Sequence, residues 1–376
     1  MALAAAPAAG DRPILDHDEP DFWRWSAADM LRALGVEVYL APNRWSADRL
    51  CRALAVRRFL KASTRSCLAS RTFHGTLTRR VRLCSGTWVP KFVCGPFKTS
   101  ESAPRKWTIG RSTSCGRCGI VGIGSPACAR RVADGAANCN RDPDILHEER
   151  ALGFGVHCFE DLIISGGRDA PCLTQTLLRG EGFIASCDGD FLAMMSMVLT
   201  SVYLDLHCMM SNMYPVSYEG ALRDHFGGHA LQPSRKYPRT RSRRMTRLDH
   251  CAFVGVVSPE MTPEGRVELR DWGGTYEILR EGRGCGNASW LVAGQRFTGV
   301  ELKFDTRTLV VAGGRILETT EHRRVPYGER TALLEFDGLE QGVANISREH
   351  VVLSYEDHRD SFRILALVLG LYYVEC

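Results

Sequence analysis

The sequence predicts an α/β protein of two or three domains, in which helical and strand patterns alternate over most of the chain. Three observations support this class. The 376 residues, 44% of them hydrophobic, are enough to form more than one core. Apolar runs with helical periodicity alternate with short runs typical of strands. Glycines follow several of the helical runs, where helices commonly end.

The first half of the chain begins with a predicted helix and strand. FWRWSAADMLRAL, at residues 22–34, is an amphipathic pattern that predicts a helix stopped by Gly35, and VEVYL follows as a strand. Farther along, HCFEDLII at residues 157–164 predicts another strand. APCLTQTLLRGEGF then predicts a helix that ends at Gly180.

Two acids interrupt the apolar segment EGFIASCDGDFLAMMSM. Asp188 and Asp190 stand between a short predicted strand and a predicted helix that begins at Phe191. Ligands of open α/β sheets usually bind at this edge. A buried carboxylate needs solvent, a helix N-terminus or a cation. Asp190 is well suited to cap the helix, so the pair is either a capping feature or a ligand site.

The C-terminal third has more strand character. RFTGVELKFD alternates as a strand does, and Gly313-Gly314 within TLVVAGGRILET predicts a two-residue hairpin turn. HVVLSY predicts a strand with Val351 and Val352 on opposite faces. A helix at about residues 357–369 and a last strand, LYYV, complete the chain.

The net charge of +5 is distributed unevenly. From Arg49 to Ala133 there are eighteen Lys and Arg residues but one acid, Glu101. This stretch also contains seven of the fifteen cysteines, and neither helical nor strand periodicity persists through it. A second basic run, PSRKYPRTRSRRMTR at residues 233–247, has the Pro and Ser content of an exposed loop.

Residues 63–149 therefore have three interpretations. Cys115 and Cys118 form a CxxC pair that could hold structural zinc in a nucleic-acid-binding module. A second CxxC is absent and the aromatic residues fit no stacking motif, so nucleic acid is not the expected partner. A second interpretation is an irregular insert with solvated charges. A third is that the segment is not genuine coding sequence, for instance because the reading frame of the gene is disturbed there.

The expected location is the cytoplasm. No apolar run has the length of a membrane span, so no membrane partner is expected. The N-terminus lacks the basic region and long apolar core of a signal peptide. The cysteines are then expected to be reduced thiols.

Three groups of polar residues lie at predicted strand ends and could carry chemistry. Oxygen and imidazole ligands gathered at such positions suit Mn²⁺ or Mg²⁺ better than Zn²⁺, whose structural sites favour thiolates. The groups are Asp188 and Asp190 with Asn212, then Asp249, His250 and Cys251, and finally Glu349, His350, Asp357 and His358.

Five segments follow one another in the order APCLTQTLLRGEGFIASCDGDFLAMMSM, CMMSNMYP, LDHCAF, GERTALLEFDG and SREHVVLSYEDHRDSFRILALVLGL. Taken together, they resemble the C-terminal half of the L-fucose isomerase-like sugar isomerases. The resemblance to L-arabinose isomerase is more distant. The resemblance covers about residue 157 to the C-terminus, apart from the second basic run. FWRWSAADMLRALGVEVYLAPN is similar to the start of the family's N-terminal region.

The resemblance implies a Rossmann-like N-terminal α/β region followed by a fucose isomerase-like α/β and β-rich domain. The divisions expected are residues 1–62 for the N-terminal α/β portion, 63–149 for the insert, 150–247 for a central α/β domain and 248–376 for the β-rich C-terminal domain.

The function that the resemblance implies is aldose–ketose isomerisation of a free monosaccharide through a cis-enediol, with Mn²⁺ or another divalent cation and a homo-oligomeric assembly. Asp188 corresponds to the family's first metal-bound carboxylate and Asn212 to the second, and both are the expected catalytic positions. His350 or Glu349 corresponds to the terminal histidine, and His350 is favoured. The residues expected to line the sugar pocket are Asp190, His250 and Arg330.

The chain departs from the family's pattern at its ligands. Asp188 replaces a glutamate, and Asn212 replaces a carboxylate. An amide can offer a neutral oxygen to a cation but cannot take up a proton as a base. The alternative is therefore a non-catalytic sugar-binding or structural paralogue of the same fold, with the zinc-dependent nucleic-acid module as a further alternative.

Overall fold

The computed structural model of the chain describes residues 2–5, 22–41, 43–62, 66–69, 91–94, 119–123, 151–155, 158, 170–215, 243–251, 254–271, 285–303, 307–321, 330–338 and 350–376. Glu349, the Cys115–Cys118 pair, most of HCFEDLII and most of the second basic run lie outside these residues. No helix within the described ranges is long and apolar enough to cross a membrane.

The helices agree with the periodicity of the sequence. They are α1 (Phe22–Ala33), α2 (Arg44–Ala62), α3 (Cys172–Gly180), α4 (Phe191–Leu204) and α5 (Arg359–Leu369). The predictions for α1, α3, α4 and α5 are confirmed. Gly35 and Gly370 follow α1 and α5 with φ of +79° and +69°, a left-handed conformation that glycine adopts without strain.

The strands are β1 (Ala2–Ala5), β2 (Glu37–Leu40), β3 (Ser66–Ala69), β4 (Lys91–Cys94), β5 (Gly119–Ile123), β6 (Ala151–Gly155), β7 (Ile184–Ser186), β8 (Met209–Pro215), β9 (Met245–Leu248), β10 (Arg266–Asp271), β11 (Cys285–Asn287), β12 (Arg296–Leu302), β13 (Thr308–Glu321), β14 (Arg330–Phe336), β15 (His350–Tyr355) and β16 (Tyr372–Glu375). Short 3₁₀ turns occupy Pro259–Met261 and Pro263–Gly265.

One sheet is parallel and leads to the acidic pair. Its four strands lie in the order β4-β3-β6-β7, and each neighbouring pair is parallel. Helices α3 and α4 both contact β7, the strand between them in the chain. The protein therefore has mixed α/β structure, as the sequence predicts. The Rossmann-like topology expected for the N-terminal region is not established.

The second large sheet closes into a six-stranded barrel. Its strands follow the order β12-β15-β8-β9-β14-β13, and β13 pairs with β12 to close the ring. All these pairs are antiparallel, while β16 runs parallel to β13 outside the ring. Because β8 and most of β9 precede residue 248, this barrel spans the division predicted at residues 247 and 248.

Both faces of β15 are buried, as its alternation allows. Val351 packs inside the barrel in a core that includes Phe297 and Phe336. Val352 packs on the outer face, in the larger core that includes Met194 and Val198 of α4. The outer face of the barrel at β15 is therefore covered by the α/β layer, and His350 on this face meets the β7–α4 turn.

Gly313 and Gly314 do not form the predicted hairpin turn, because β13 runs through both as one strand. A Cβ at Gly314 would lie 2.6 Å from the Phe297 ring, and one at Gly313 would lie 2.6 Å from Nε of Arg359. The glycines thus allow close packing on β13. The loop predicted for residues 233–247 is also wrong at its end, where β9 begins at Met245 and Arg247 is buried.

Candidate metal centre

A tight turn between β7 and α4 positions the acidic pair. Asp188 and Gly189 have φ of +53° and +61°. A left-handed conformation is unfavourable for most residues with a Cβ but is tolerated by Asp. Asp190 has extended backbone, and its Oδ1 accepts a hydrogen bond from Ala193 N at 2.9 Å. The predicted N-cap role of Asp190 is confirmed, and it leaves the neighbouring Asp188 available for another role.

Asp188 faces two histidines from different parts of the barrel. Its Oδ2 lies 3.4 Å from Nε2 of His250 and 3.6 Å from Nε2 of His350. The two Nε2 atoms are 3.2 Å apart. Ligands held about 2.1 Å from one ion are about 3.0–3.4 Å apart in octahedral or tetrahedral geometry. The three atoms could therefore coordinate one ion with little movement.

Asp190 orients one of these imidazoles. Its Oδ2 accepts a hydrogen bond from Nδ1 of His350 at 2.9 Å. A carboxylate can only accept, so Nδ1 must carry the hydrogen, and when the ring is neutral its Nε2 presents a lone pair to Asp188 and His250. Carboxylate–histidine pairs of this kind hold many metal-ligating imidazoles in orientation.

Asn212 lies on the same face of the sheet. It pairs with His350 in the register of β8 and β15, and directly paired residues project to the same side. Its Nδ2 donates to the Tyr214 hydroxyl at 3.2 Å. Its Oδ1 is buried and has no hydrogen-bond partner among the described residues. An unpaired buried oxygen is unfavourable, which makes Asn212 a candidate for a further ligand.

The charges of the cluster are coupled. Burial alone raises the pKa of Asp188, but the imidazoles of His250 and His350 beside it outweigh burial and hold this pKa well below its usual range. Burial lowers the pKa of His350, yet Asp188 and Asp190 raise it to about 9. Burial likewise lowers the pKa of His250, whereas Cys251 and Asp188 raise it to about 9.

These two imidazoles are coupled through one hydrogen. Two N–H groups cannot face each other across the 3.2 Å that separates the Nε2 atoms, so a single hydrogen lies between them. Because the pKa of each imidazole is raised, the pair holds a proton beside the two carboxylates. A divalent cation that displaces this proton would balance the carboxylates Asp188 and Asp190 fully.

Buried thiols border the cluster on its other side. Cys158 Sγ donates to Oδ1 of Asp188 at 3.2 Å, which leaves Oδ2 facing the imidazoles. The pKa of Cys158 is raised well above its usual value, mainly by a hydrogen bond with Cys187 and secondly by burial. Cys158 is therefore a neutral donor that turns one carboxylate oxygen away from the cluster. Its contact depends on tertiary proximity, and no sequence pattern marked it.

The structure brings together four of the residues predicted for the site. Asp188, Asp190, His250 and His350 are in contact, and Asn212 shares their sheet face. His250 was expected to line a sugar pocket, but its Nε2 lies among the candidate ligand atoms. The two imidazoles make the ligand set more nitrogen-rich than the sequence indicated.

Arg330 has different neighbours. Its Nη1 lies 2.6 Å from Glu268 Oε2 and donates to the carbonyl of Ala288, and its guanidinium lies 4.1 Å from the centre of the Trp290 ring. The predicted contact of Arg330 with a sugar stays a prediction. Glu349, the alternative to His350, lies outside the described residues, whereas His350 is in contact with the cluster.

No protein family model matches this chain, and no curated protein matches it. The resemblance to sugar isomerases stays a prediction.

Proposed function

We propose that Asp188, His250 and His350 bind a divalent transition-metal ion in an aldose–ketose isomerase of the L-fucose isomerase-like type, acting on a free monosaccharide. The observation that carries the proposal is the meeting of three ligand atoms from separate chain segments, all within 4.8 Å of one another. The orientation of His350 by Asp190 supports it, because a metal ligand needs a fixed tautomer.

The donor set favours Mn²⁺ among the hard cations. Imidazole suits first-row transition metals such as Fe²⁺ and Zn²⁺, whereas Mg²⁺ is bound mainly through oxygen, so the two imidazoles count against Mg²⁺. The choice of Mn²⁺ among the transition metals comes from the resemblance to the sugar isomerases. We therefore propose Mn²⁺, with Co²⁺ or Fe²⁺ as substitutes that this donor set can also hold. When bound, such an ion would polarise the sugar's C1 and C2 oxygens and stabilise negative charge on them.

Proton transfer between C1 and C2 needs a base. Asp188 is ionised, and it is the carboxylate with an oxygen directed at the imidazole pair. Asp190 is less suited, because its oxygens contact Ala193 N and Nδ1 of His350 and not the Nε2 atoms that would face the ion. Oδ1 of Asp188 accepts from Cys158, so Oδ2 of Asp188 would serve both as metal ligand and as proton acceptor. Asn212 can orient a substrate hydroxyl but cannot accept its proton. We infer that Asp188 serves as the catalytic base, with slower turnover than a site with two free carboxylates.

The alternative is a non-catalytic sugar-binding or structural paralogue of the same fold. The observation that favours it is Asn212, which removes one of the two carboxylates of the family's pattern. Under this alternative the protein binds Mn²⁺ and a sugar but forms no ketose.

A second candidate function follows from the ligand set itself. Two histidines and one carboxylate are also the ligands of non-haem Fe(II) oxygenases. Metal-dependent uptake of O₂ by the Fe²⁺-loaded protein, without ketose formation from any aldose, would favour this candidate over the isomerase.

The test combines metal binding with turnover. Mn²⁺ is titrated calorimetrically into chelator-treated protein, and a panel of free aldoses is then assayed for ketose. We expect one ion per chain and ketose formation only with the metal. Asp188→Ala should abolish both, while Asp360→Ala, which removes an exposed carboxylate on α5, should change neither. Unchanged Mn²⁺ binding in Asp188→Ala would contradict the proposal.

A further inference from the structure

Arg179 is a buried cation in the last turn of α3. It is 3% exposed, and burial lowers its pKa. Its contacts within the described part of the chain are with neutral acceptors. Nε donates to the carbonyl of Ala185 at 3.1 Å, and Nη1 donates to those of Cys208 at 3.2 Å and Val256 at 2.5 Å. Burying a charge without an acid beside it is unfavourable in free energy, and an apolar side chain would avoid this cost. We therefore expect the hydrogen bonds of Arg179 to serve a role that an apolar side chain cannot.

The three carbonyls belong to the segments that lead to the candidate metal centre. Ala185 lies on β7, three residues before Asp188. Cys208 lies four residues before Asn212, immediately before β8. Val256 lies six residues after His250. A single guanidinium thus connects the segments of three candidate site residues that are far apart in the chain.

Gln175, one turn earlier on α3, also holds the segment that precedes Asp188. Its Nε2 donates to the carbonyl of Ser186 at 3.1 Å, and its Oε1 accepts from Cys187 Sγ at 2.9 Å. Ser186 and Cys187 directly precede Asp188. The buried side of α3 therefore holds the turn through two consecutive carbonyls and one thiol.

We infer that Arg179 is the positioning residue of the metal centre, which fixes the segments of Asp188, Asn212 and His250 so that their ligand atoms meet in one coordination sphere. The inference rests on the proposed metal site. Arginine suits this role because its planar group carries five donors at fixed angles, whereas the lysine ammonium is a compact charge on a flexible stem.

The test measures coordination as well as stability. Co²⁺ is titrated into wild type, Arg179→Lys, Arg179→Gln and a control, Phe336→Leu, which alters the barrel core. Affinity and the visible d–d spectrum are recorded at a temperature where circular dichroism shows each variant folded. We expect Arg179→Lys to weaken Co²⁺ binding by about 10-fold or more and to alter the spectrum, as changes behind metal ligands do. Phe336→Leu should lower the melting temperature and leave affinity and spectrum unchanged.

Arg179→Gln, which keeps an amide donor without the charge, is used with the same expectation if Arg179→Lys does not fold. Wild-type affinity and spectrum in a folded Arg179 variant would overturn the inference and leave the metal site standing. Equal weakening in Phe336→Leu would also overturn it, because the effect would then follow stability alone. Failure of the wild type itself to bind Co²⁺ and Mn²⁺ would overturn both proposals.

Discussion

Asp190 accepts a hydrogen bond from Nδ1 of His350 at 2.9 Å, across 160 residues of sequence. The same side chain caps α4 through its other oxygen. One carboxylate therefore sets both the start of a helix and the tautomer of an imidazole on the barrel wall. The two roles can be separated by mutation, because Asn caps a helix about as well as Asp does.

Asp190→Asn should keep the cap and lose the orientation of His350. Its amide can accept from Ala193 N, but an NH₂ group then faces Nδ1–H of the imidazole. We expect Mn²⁺ affinity to fall by about 10–100-fold. The free energy of unfolding should fall by about 1–3 kcal/mol, because two buried N–H groups then face each other although the cap is kept. Calorimetric titration and urea denaturation measure the two quantities. Unchanged affinity would show that this contact does not serve metal binding.

Metal-free protein should lose stability as the pH rises from about 6.5 to about 9. The folded state raises the pKa of His250 and His350 to about 9, above the usual 6.5, so it holds the shared proton more tightly than the unfolded chain does. The resulting contribution to the free energy of unfolding is complete below about pH 6.5 and is lost as the pH rises through about 9.

The stabilisation of the protein by bound Mn²⁺ should increase, not decrease, as the pH rises over the same range. Binding requires neutral imidazoles, so the rise in melting temperature caused by Mn²⁺ should grow with pH. Thermal scans of the protein with and without Mn²⁺ measure both trends. A Mn²⁺-induced shift that shrinks with pH would count against the imidazoles as ligands, and His350→Gln should lose the trend.

Asn212→Asp should strengthen the site. The substitution is close in size and replaces a buried oxygen that has no hydrogen-bond partner among the described residues with a charged one. Mn²⁺ should bind more tightly, and ketose formation should rise because a second base is present. Asn212→Leu should weaken Mn²⁺ binding. Equal affinity in wild type and both variants would remove Asn212 from the ligand set.

Much of the local structure could be predicted from the sequence, because periodicity and stop residues are local signals. The helix that ends before Gly35 and the helix that begins after Asp190 illustrate this. The barrel could not be predicted, since no local pattern states that β13 pairs with both β12 and β14. The hairpin turn predicted at Gly313-Gly314 was wrong for a related reason. The glycines pack against Phe297 and Arg359, which are distant in the chain.

The candidate site could be predicted in part for the same reason. Asp188 and His350 were expected to meet because of the resemblance, and the register of β8 and β15 places Asn212 beside His350. The position of His250 among the candidate ligand atoms depends on the path of the chain after β9. The contacts of Cys158 and Arg179 are tertiary and leave no periodic signal.

Val351→Asp and Val352→Asp should both be severely destabilising. Each valine is 1% exposed, one inside the barrel and one against the α/β layer. A buried, unpaired carboxylate should cost about 3 kcal/mol or more at either position. Tyr372→Asp, at an exposed position of β16, should change stability by less than about 0.5 kcal/mol. Urea denaturation compares the three variants, and tolerance of either valine change would mean that one face of β15 is open.

The most direct test of the metal centre is anomalous diffraction at the manganese edge from crystals grown with Mn²⁺. The account predicts one strong peak about 2.0–2.3 Å from Oδ2 of Asp188 and from Nε2 of His250 and His350. Its height should fall to background in crystals of His250→Ala. A map without a peak between these three atoms at saturating Mn²⁺, or with the ion bound at another place, would contradict the central claim.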